Sequence, residues 1–94
     1  MTLSRAELIF KMLSNEIRIK ILKILVSQGQ TGICVSGMED IIKCKQSSVS
    51  QHLAHLRNSG IITAEKKGTK VCYKLVDEDV LKIISCVDIE NVIL

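Results

Sequence analysis

Through the first sixty positions, apolar residues recur at the three-to-four-residue spacing of helices, and the spacing shortens to two only beyond them. Leu3, Ala6, Phe10 and Leu13 fall on one stripe, with Leu8 and Met12 on a second, which predicts a helix from about Leu3 to Leu13. Ser4 with Glu7 three positions on has the form of a capping box. Asn15 is a good N-cap for a second helix over about Glu16 to Gln28. There Ile17, Ile21 and Ile24 share a face, while Ile19, Leu22, Leu25 and Val26 occupy much of the remainder. A helix apolar around so much of its circumference is buried on two sides, as a central core helix is. Gln28-Gly29-Gln30-Thr31-Gly32 supplies its stop.

Ser36 followed by Glu39 has the form of a second capping box, opening a short helix through Met38, Ile41 and Ile42. A tight connection at Lys43-Cys44-Lys45 leads to a helix over about 46–58, which ends before Gly60 as the expected C′ glycine. From residue 62 to 75 the pattern is a hairpin with a lysine-rich tip. Val71, Tyr73 and Leu75 alternate with Cys72 and Lys74, the periodicity of a strand. A last helix should start near Asp77, with acids matching its dipole and Val80, Ile84 and Val87 as its apolar stripe. The order is helix, helix, short helix, helix, hairpin, helix. That is a mainly α chain with a two-stranded β-wing, a winged helix-turn-helix. With no proline, repeat or low-complexity stretch to mark a boundary, residues 1–94 read as a single domain.

Segment 46–57 carries the most chemistry. At ~100° per residue, Val49, Leu53 and Leu56 lie within about 60° of one another and face the core. The other side displays Ser47, Ser48, Gln51, Ala54 and His55, with Gln46 and Ser50 beside them. It is small, polar and free of acids. Short hydroxyls let a helix approach phosphates closely, and a glutamine can donate and accept against a base edge. A face built only for solubility would mix in glutamate and lysine. The candidate DNA contacts are therefore Gln46, Ser47, Ser48, Ser50, Gln51 and His55, joined by Lys66, Lys67 and Lys70 around the hairpin tip. Such cations can reach a DNA backbone or minor groove, although an ordinary charged turn would also blunt an edge strand. His52 and His55 could chelate at i and i+3, but a phosphate or flanking contact suits their helix better.

Composition points to an assembly. Of 94 residues 47% are hydrophobic, only Phe10 and Tyr73 are aromatic, and 14 are isoleucine. That is more aliphatic surface than one small domain hides, so a subunit interface and a homodimer are expected. The net charge of +3 is unevenly spread. Residues 36–75 carry seven bases against three acids, whereas residues 76–94 carry one base against five acids. A basic body with an acidic end suits a protein that offers one face to a polyanion. No apolar run approaches the ~20 residues of a membrane span and no signal-peptide core opens the chain, so a cytoplasmic protein is expected. Its four cysteines, Cys34, Cys44, Cys72 and Cys86, then read as reduced thiols, and they contain no C-x-x-C pair.

These features together resemble the ArsR/SmtB-type winged helix-turn-helix transcriptional repressors. Met12-Leu13-Ser14-Asn15-Glu16-Ile17-Arg18-Ile19-Lys20-Ile21-Leu22 is similar to that family's leucine-alanine-aspartate-proline-threonine-arginine-leucine-x-isoleucine-leucine opening. Segment 46–62 is similar to its serine-rich recognition helix with the following leucine-arginine-x-x-glycine-leucine-valine, and Val71-Cys72-Tyr73-Lys74-Leu75 to its wing strand. The resemblance runs over most of residues 10–76. It implies a dimer built from the first and last helices, recognition helices in successive major grooves of an imperfect palindrome, and repression relieved by a ligand or thiol modification.

Ile33-Cys34-Val35-Ser36 resembles the family's leucine-cysteine-valine-cysteine metal box, with serine at the second cysteine. The last helix has no histidine for the family's other metal site. A soft metal wants three or four thiolate or imidazole ligands, so neither a metal nor another cofactor is assigned. Thiol chemistry competes. Cys34 precedes a helix N-terminus that favours thiolate, Cys72 projects from the wing on the Lys74 face as a candidate for exposure, and Cys86 is off the apolar stripe of the last helix. These three are the candidate thiol sensors, against inert packing as the plain alternative; Cys44 reads as a small buried hydrophobe. Catalysis is not expected, since no nucleophile–base pair, glycine-rich phosphate loop or metal set is present. The alternatives to a thiol-released repressor are a regulator with no ligand, a protein-interaction module on the same fold, or a metal-responsive repressor with an unusual site.

Overall fold

The structure is a computed structural model that describes residues 1–28 and 33–88, with the side chains of Gln28 and residues 33–36 outside the description. The glycine-containing stop expected at 29–32 lies outside it too. The elements are α1 (Leu3–Leu13), α2 (Glu16–Gln28), β1 (Ile33–Cys34), α3 (Val35–Ile42), α4 (Gln46–Asn58), β2 (Ile62–Lys67), β3 (Lys70–Leu75) and α5 (Glu78–Ser85). The winged helix-turn-helix order is present, and the wing is the β2–β3 hairpin. The addition is β1, which pairs antiparallel with β3, so the sheet order is β1-β3-β2. Two residues without alternation give no strand signal in the sequence; their pairing exists only because the chain returns to β3. The register sets Ile33 opposite Tyr73 and Cys34 opposite Cys72.

The central role expected of α2 is met. Ile21, Leu22, Ile24 and Leu25 are buried, Ile17, Ile19 and Val26 pack against the same core, and α2 touches α1, α3, α4, α5 and β3. On α1 the burial differs from the expected stripe. Ile9, Met12 and Leu13 face the core, whereas Leu3 is 88% exposed and Phe10 60% exposed. The core needs one narrow face of this helix, and the Leu3–Phe10 stripe lies rotated from it.

Capping follows local chemistry, with two corrections. The α1 cap is Thr2 and not Ser4: its hydroxyl accepts from the Arg5 amide at 3.1 Å. Since α3 begins at Val35, Ser36 falls inside the first turn instead of ahead of it. Asn15 caps α2 as expected, accepting from the Arg18 amide at 3.1 Å, and Asp77 caps α5, accepting from the Val80 amide at 2.9 Å. Val80 and Ile84 are buried on α5, and Val87 lies just past its end.

One arginine ties three helices together. Arg5 of α1 donates to the Ser59 carbonyl at the end of α4 at 2.7 Å and to the Asp77 carboxylate at the start of α5 at 2.8 Å. Burial would raise the Asp77 pKa, but the Arg5 hydrogen bond and the amides of Val80 and Asp79 outweigh it. The carboxyl is held below its usual range. Among the described residues no helix is long and apolar enough to cross a membrane.

Candidate nucleic-acid interface

The turn into α4 is short because Lys43 takes the left-handed conformation at φ 60°, while its amide closes back on the Glu39 carbonyl at 2.9 Å. Lysine pays some steric strain there, but the bend lets α4 cross α3 after only three residues. Lys45 is the α4 N-cap, without a side-chain bond to the first-turn amides. At the other end, Gly60 has φ +81°, its amide bonds to the Arg57 carbonyl, and the Ile61 amide bonds to Leu56. These two bonds are a Schellman stop, and the buried Leu56 and Ile61 supply its apolar contact.

Between these ends α4 divides as its periodicity predicts. Val49, Leu53 and Leu56 are fully buried. Gln46, Ser47, Ser50, Gln51 and His55 are exposed, together with Ala54, Arg57 and Asn58, while Ser48 is half-buried at the edge of the face. The hydroxyl and amide groups thus stand outward on a helix locked from behind. Exposed Lys43 and Lys45 flank its start. In the sequence they are cations bracketing Cys44, in a segment whose pattern marks only a connection.

His52 belongs to neither side. It is half-buried, and its Nδ1 accepts a hydrogen bond from Arg18 Nε of α2 at 3.1 Å. Arg18 also reaches the Met12 sulfur of α1 at 3.6 Å. Desolvation, then the Arg18 charge, then His55 lower the His52 pKa below the usual 6.5. A flanking phosphate contact was expected of this ring; what the fold displays is a link to α2. No sequence rule pairs residues 34 positions apart.

The wing tip is a two-residue loop, Gly68-Thr69, with Gly68 at φ +64° and Lys67 directly opposite Lys70. A positive φ at the first loop position is the geometry of a type II′ turn, which glycine adopts without strain. Like charges facing each other across a hairpin cost stability, and a polyanion relieves that cost. Lys66, Lys67 and Lys70 are all exposed.

The thiols are dispersed differently from the expectation. Cys72 is half-buried in the middle strand of the sheet, whereas a position open to solvent was expected; β1 and β2 flank it on both sides. Cys86 is exposed at the C-cap of α5, and Cys44 packs partly against the core. The Cys34 side chain lies outside the described residues. Among the described residues no group of three His, Cys, Asp or Glu is placed to hold a metal ion.

Comparison with known proteins gives consistent findings. The model of the bacterial regulatory protein arsR family matches residues 15–64. The uncharacterized HTH-type transcriptional regulator MJ1325 of Methanocaldococcus jannaschii is 39% identical over 84 residues, covering 89% of this chain and 92% of that protein. The arsenical resistance operon repressor of Bacillus subtilis is 38% identical over 76 residues, covering 81% and 70%. Among solved structures, the homodimeric winged helix-turn-helix DNA-binding domain of Mb0332 from Mycobacterium bovis, a possible ArsR-family regulator, superposes with a TM-score of 0.76. The two are 26% identical, over 88% of this chain and 74% of that one.

Proposed function

Because the chain belongs to the arsR family of bacterial regulatory proteins, we propose that it is a homodimeric, sequence-specific repressor that inserts α4 into the DNA major groove. The observation that carries this reading is the exposed, acid-free face of Gln46, Ser47, Ser50, Gln51 and His55, on a helix anchored by Val49, Leu53 and Leu56. Ser48 contributes from its edge. Lys66, Lys67 and Lys70 on the wing bind flanking DNA. A protein-interaction module on this fold would favour an acidic or apolar face, and α4 has neither.

The dimer is built from α1 and α5. Leu3 and Phe10 on α1 and Leu81 on α5 are exposed apolar side chains that water does not favour. The Mb0332 domain, with the same fold, is homodimeric. A two-fold dimer sets its recognition helices one DNA turn apart, about 34–36 Å, so the operator is an imperfect palindrome.

The test separates reading from anchoring. Gln51→Ala should narrow the preference among operator variants by about 1–3 kcal/mol at one base position. Lys67→Gln with Lys70→Gln should instead weaken binding to all sequences alike and lower the salt slope by about two. Fluorescence anisotropy on operator and scrambled duplexes at several salt concentrations measures both. Unchanged specificity in Gln51→Ala would mean that another face of α4 meets the bases.

For release, the reading is thiol oxidation. Antiparallel register partners have Cα atoms about 4.5–5.5 Å apart, inside the span that a disulfide bridges. Cys34 and Cys72 are such partners. A two-electron oxidant would take two electrons and two protons from the two thiols, joining them and tying the wing to the start of α3. Cys86 offers a third thiol, exposed on α5. Operator affinity is expected to drop on diamide treatment and return with dithiothreitol, and to stay constant in Cys34→Ser. If Cys34→Ser responds like the parent and Cys86→Ser does not, the switch lies at Cys86. An affinity indifferent to oxidant leaves a repressor without a thiol switch.

A further inference from the structure

His52 is the half-buried histidine of α4, and the proposed reading of DNA does not use it. Its partner, Arg18, is fully a donor: guanidinium has five N–H groups and no acceptor. The 3.1 Å contact from Arg18 Nε to His52 Nδ1 therefore requires Nδ1 to be the unprotonated nitrogen. The ring is neutral with its single proton on Nε2. Arg18 itself is fixed at both ends. Its amide is capped by Asn15 at the α2 start, and its guanidinium meets Met12 of α1. The bond thus joins the α1–α2 corner to the middle of α4, one residue from Gln51 and three from His55.

We propose that Arg18 and His52 are a positioning pair that seats α4 against α2, so that operator affinity depends on His52 being neutral. This rests on α4 being the recognition helix. A proton on Nδ1 would remove the acceptor and set two cations face to face. Among the described residues, the groups bearing on His52 are Arg18 from α2 and His55 from its own helix, while α3 and β2 also pack on α4. Burial, the Arg18 charge and His55 all oppose the proton. Because the folded-state pKa is below the ordinary 6.5, the contribution of the pair is complete at neutral pH and above. It is lost as the pH falls through the depressed folded value. His55 stands exposed on the DNA side of the same helix and is shared by the parent and the variants below.

The experiment isolates His52 from His55 by a ratio. Operator binding is measured by anisotropy from pH 8 to pH 5 for the parent and for His52→Asn, whose amide oxygen can accept from Arg18 at the place of Nδ1 and does not titrate. The two are expected to bind within about twofold of each other at pH 8. The parent should fall behind as the pH drops, by roughly tenfold once the ring is fully protonated, the scale of one charge-assisted hydrogen bond. His52→Ala should be weaker than His52→Asn at every pH. In DNA-free protein, NMR titration should find the His52 pKa nearer its ordinary value in Arg18→Gln. A parent-to-Asn ratio constant with pH, or a His52 pKa indifferent to Arg18→Gln, overturns the pair while leaving the repressor reading intact. A parent that binds no duplex at any pH overturns both.

Discussion

Phe10→Glu is expected to yield a monomer whose affinity for a two-half-site operator is at least about 100-fold lower than the parent's. The argument begins with α1, where the core takes Ile9, Met12 and Leu13 and leaves Phe10 60% exposed on a stripe with Leu3. Burying an aromatic ring against a partner stabilises an assembly by about 1.5–3 kcal/mol per side chain, twice over across a two-fold axis. A carboxylate at the same place is desolvated without a partner, and association fails. The monomer itself should remain folded, because no core atom is removed. Once the subunits part, each recognition helix must find its half-site independently, and the gain from linked binding disappears. Sedimentation of the variant, with anisotropy on full and half operators, reads both effects. A Phe10→Glu protein that sediments as a dimer with parental affinity would show that the subunits meet elsewhere.

Leu53→Ala is expected to cost about 2–5 kcal/mol of stability. Leu53 is fully buried at the middle of α4, between Val49 and Leu56, against a core that includes Ile21, Leu22 and Ile62. Truncation loses the transfer free energy of the removed methyl groups and leaves a cavity that close-packed neighbours fill only in part. In a domain of this size each kcal/mol moves the melting temperature by about 4–8 °C, so a fall of at least about 8 °C is expected. Small domains hold only about 5–15 kcal/mol in total, and this variant should lose DNA binding through unfolding. The comparison is Ser50→Ala on the exposed side of the same turn. It should melt within a few degrees of the parent and weaken DNA binding without unfolding. Circular dichroism melts of both separate anchoring from contact. Equal melting temperatures would mean that α4 is not held by its apolar face.

Much of this architecture was legible beforehand, for local reasons. The bounds of α1, α2 and α4, the wing and the start of α5 follow from side-chain periodicity and from Asn15, Gly60, Gly68 and Asp77. Each of those residues acts on backbone within a few positions of itself. The outward polar face of α4 is legible for the same reason: once Val49, Leu53 and Leu56 are anchored, helix geometry turns Ser47, Ser50 and Gln51 away from them. The capping of α1 was misplaced by two residues because Thr2 and Ser4 offer the same hydroxyl, and only the helix start decides between them.

The remainder depends on which distant segments meet. β1 has no signature of its own, since it is a strand only by virtue of β3 beside it, and that pairing also half-buries Cys72 and sets it opposite Cys34. Arg5 with Ser59 and Asp77, and Arg18 with His52, bridge 54, 72 and 34 positions of chain. Periodicity distinguishes apolar from polar flanks of a helix but not which apolar flank the core will use. Local pattern in the chain is therefore enough for the helices, the wing, their order and the chemistry displayed on α4. Tertiary packing alone decided that Ile9 and not Phe10 lies inside, and that Arg18 on α2 holds His52 of α4, because those outcomes are set by the volume and hydrogen-bonding partners available when the helices meet.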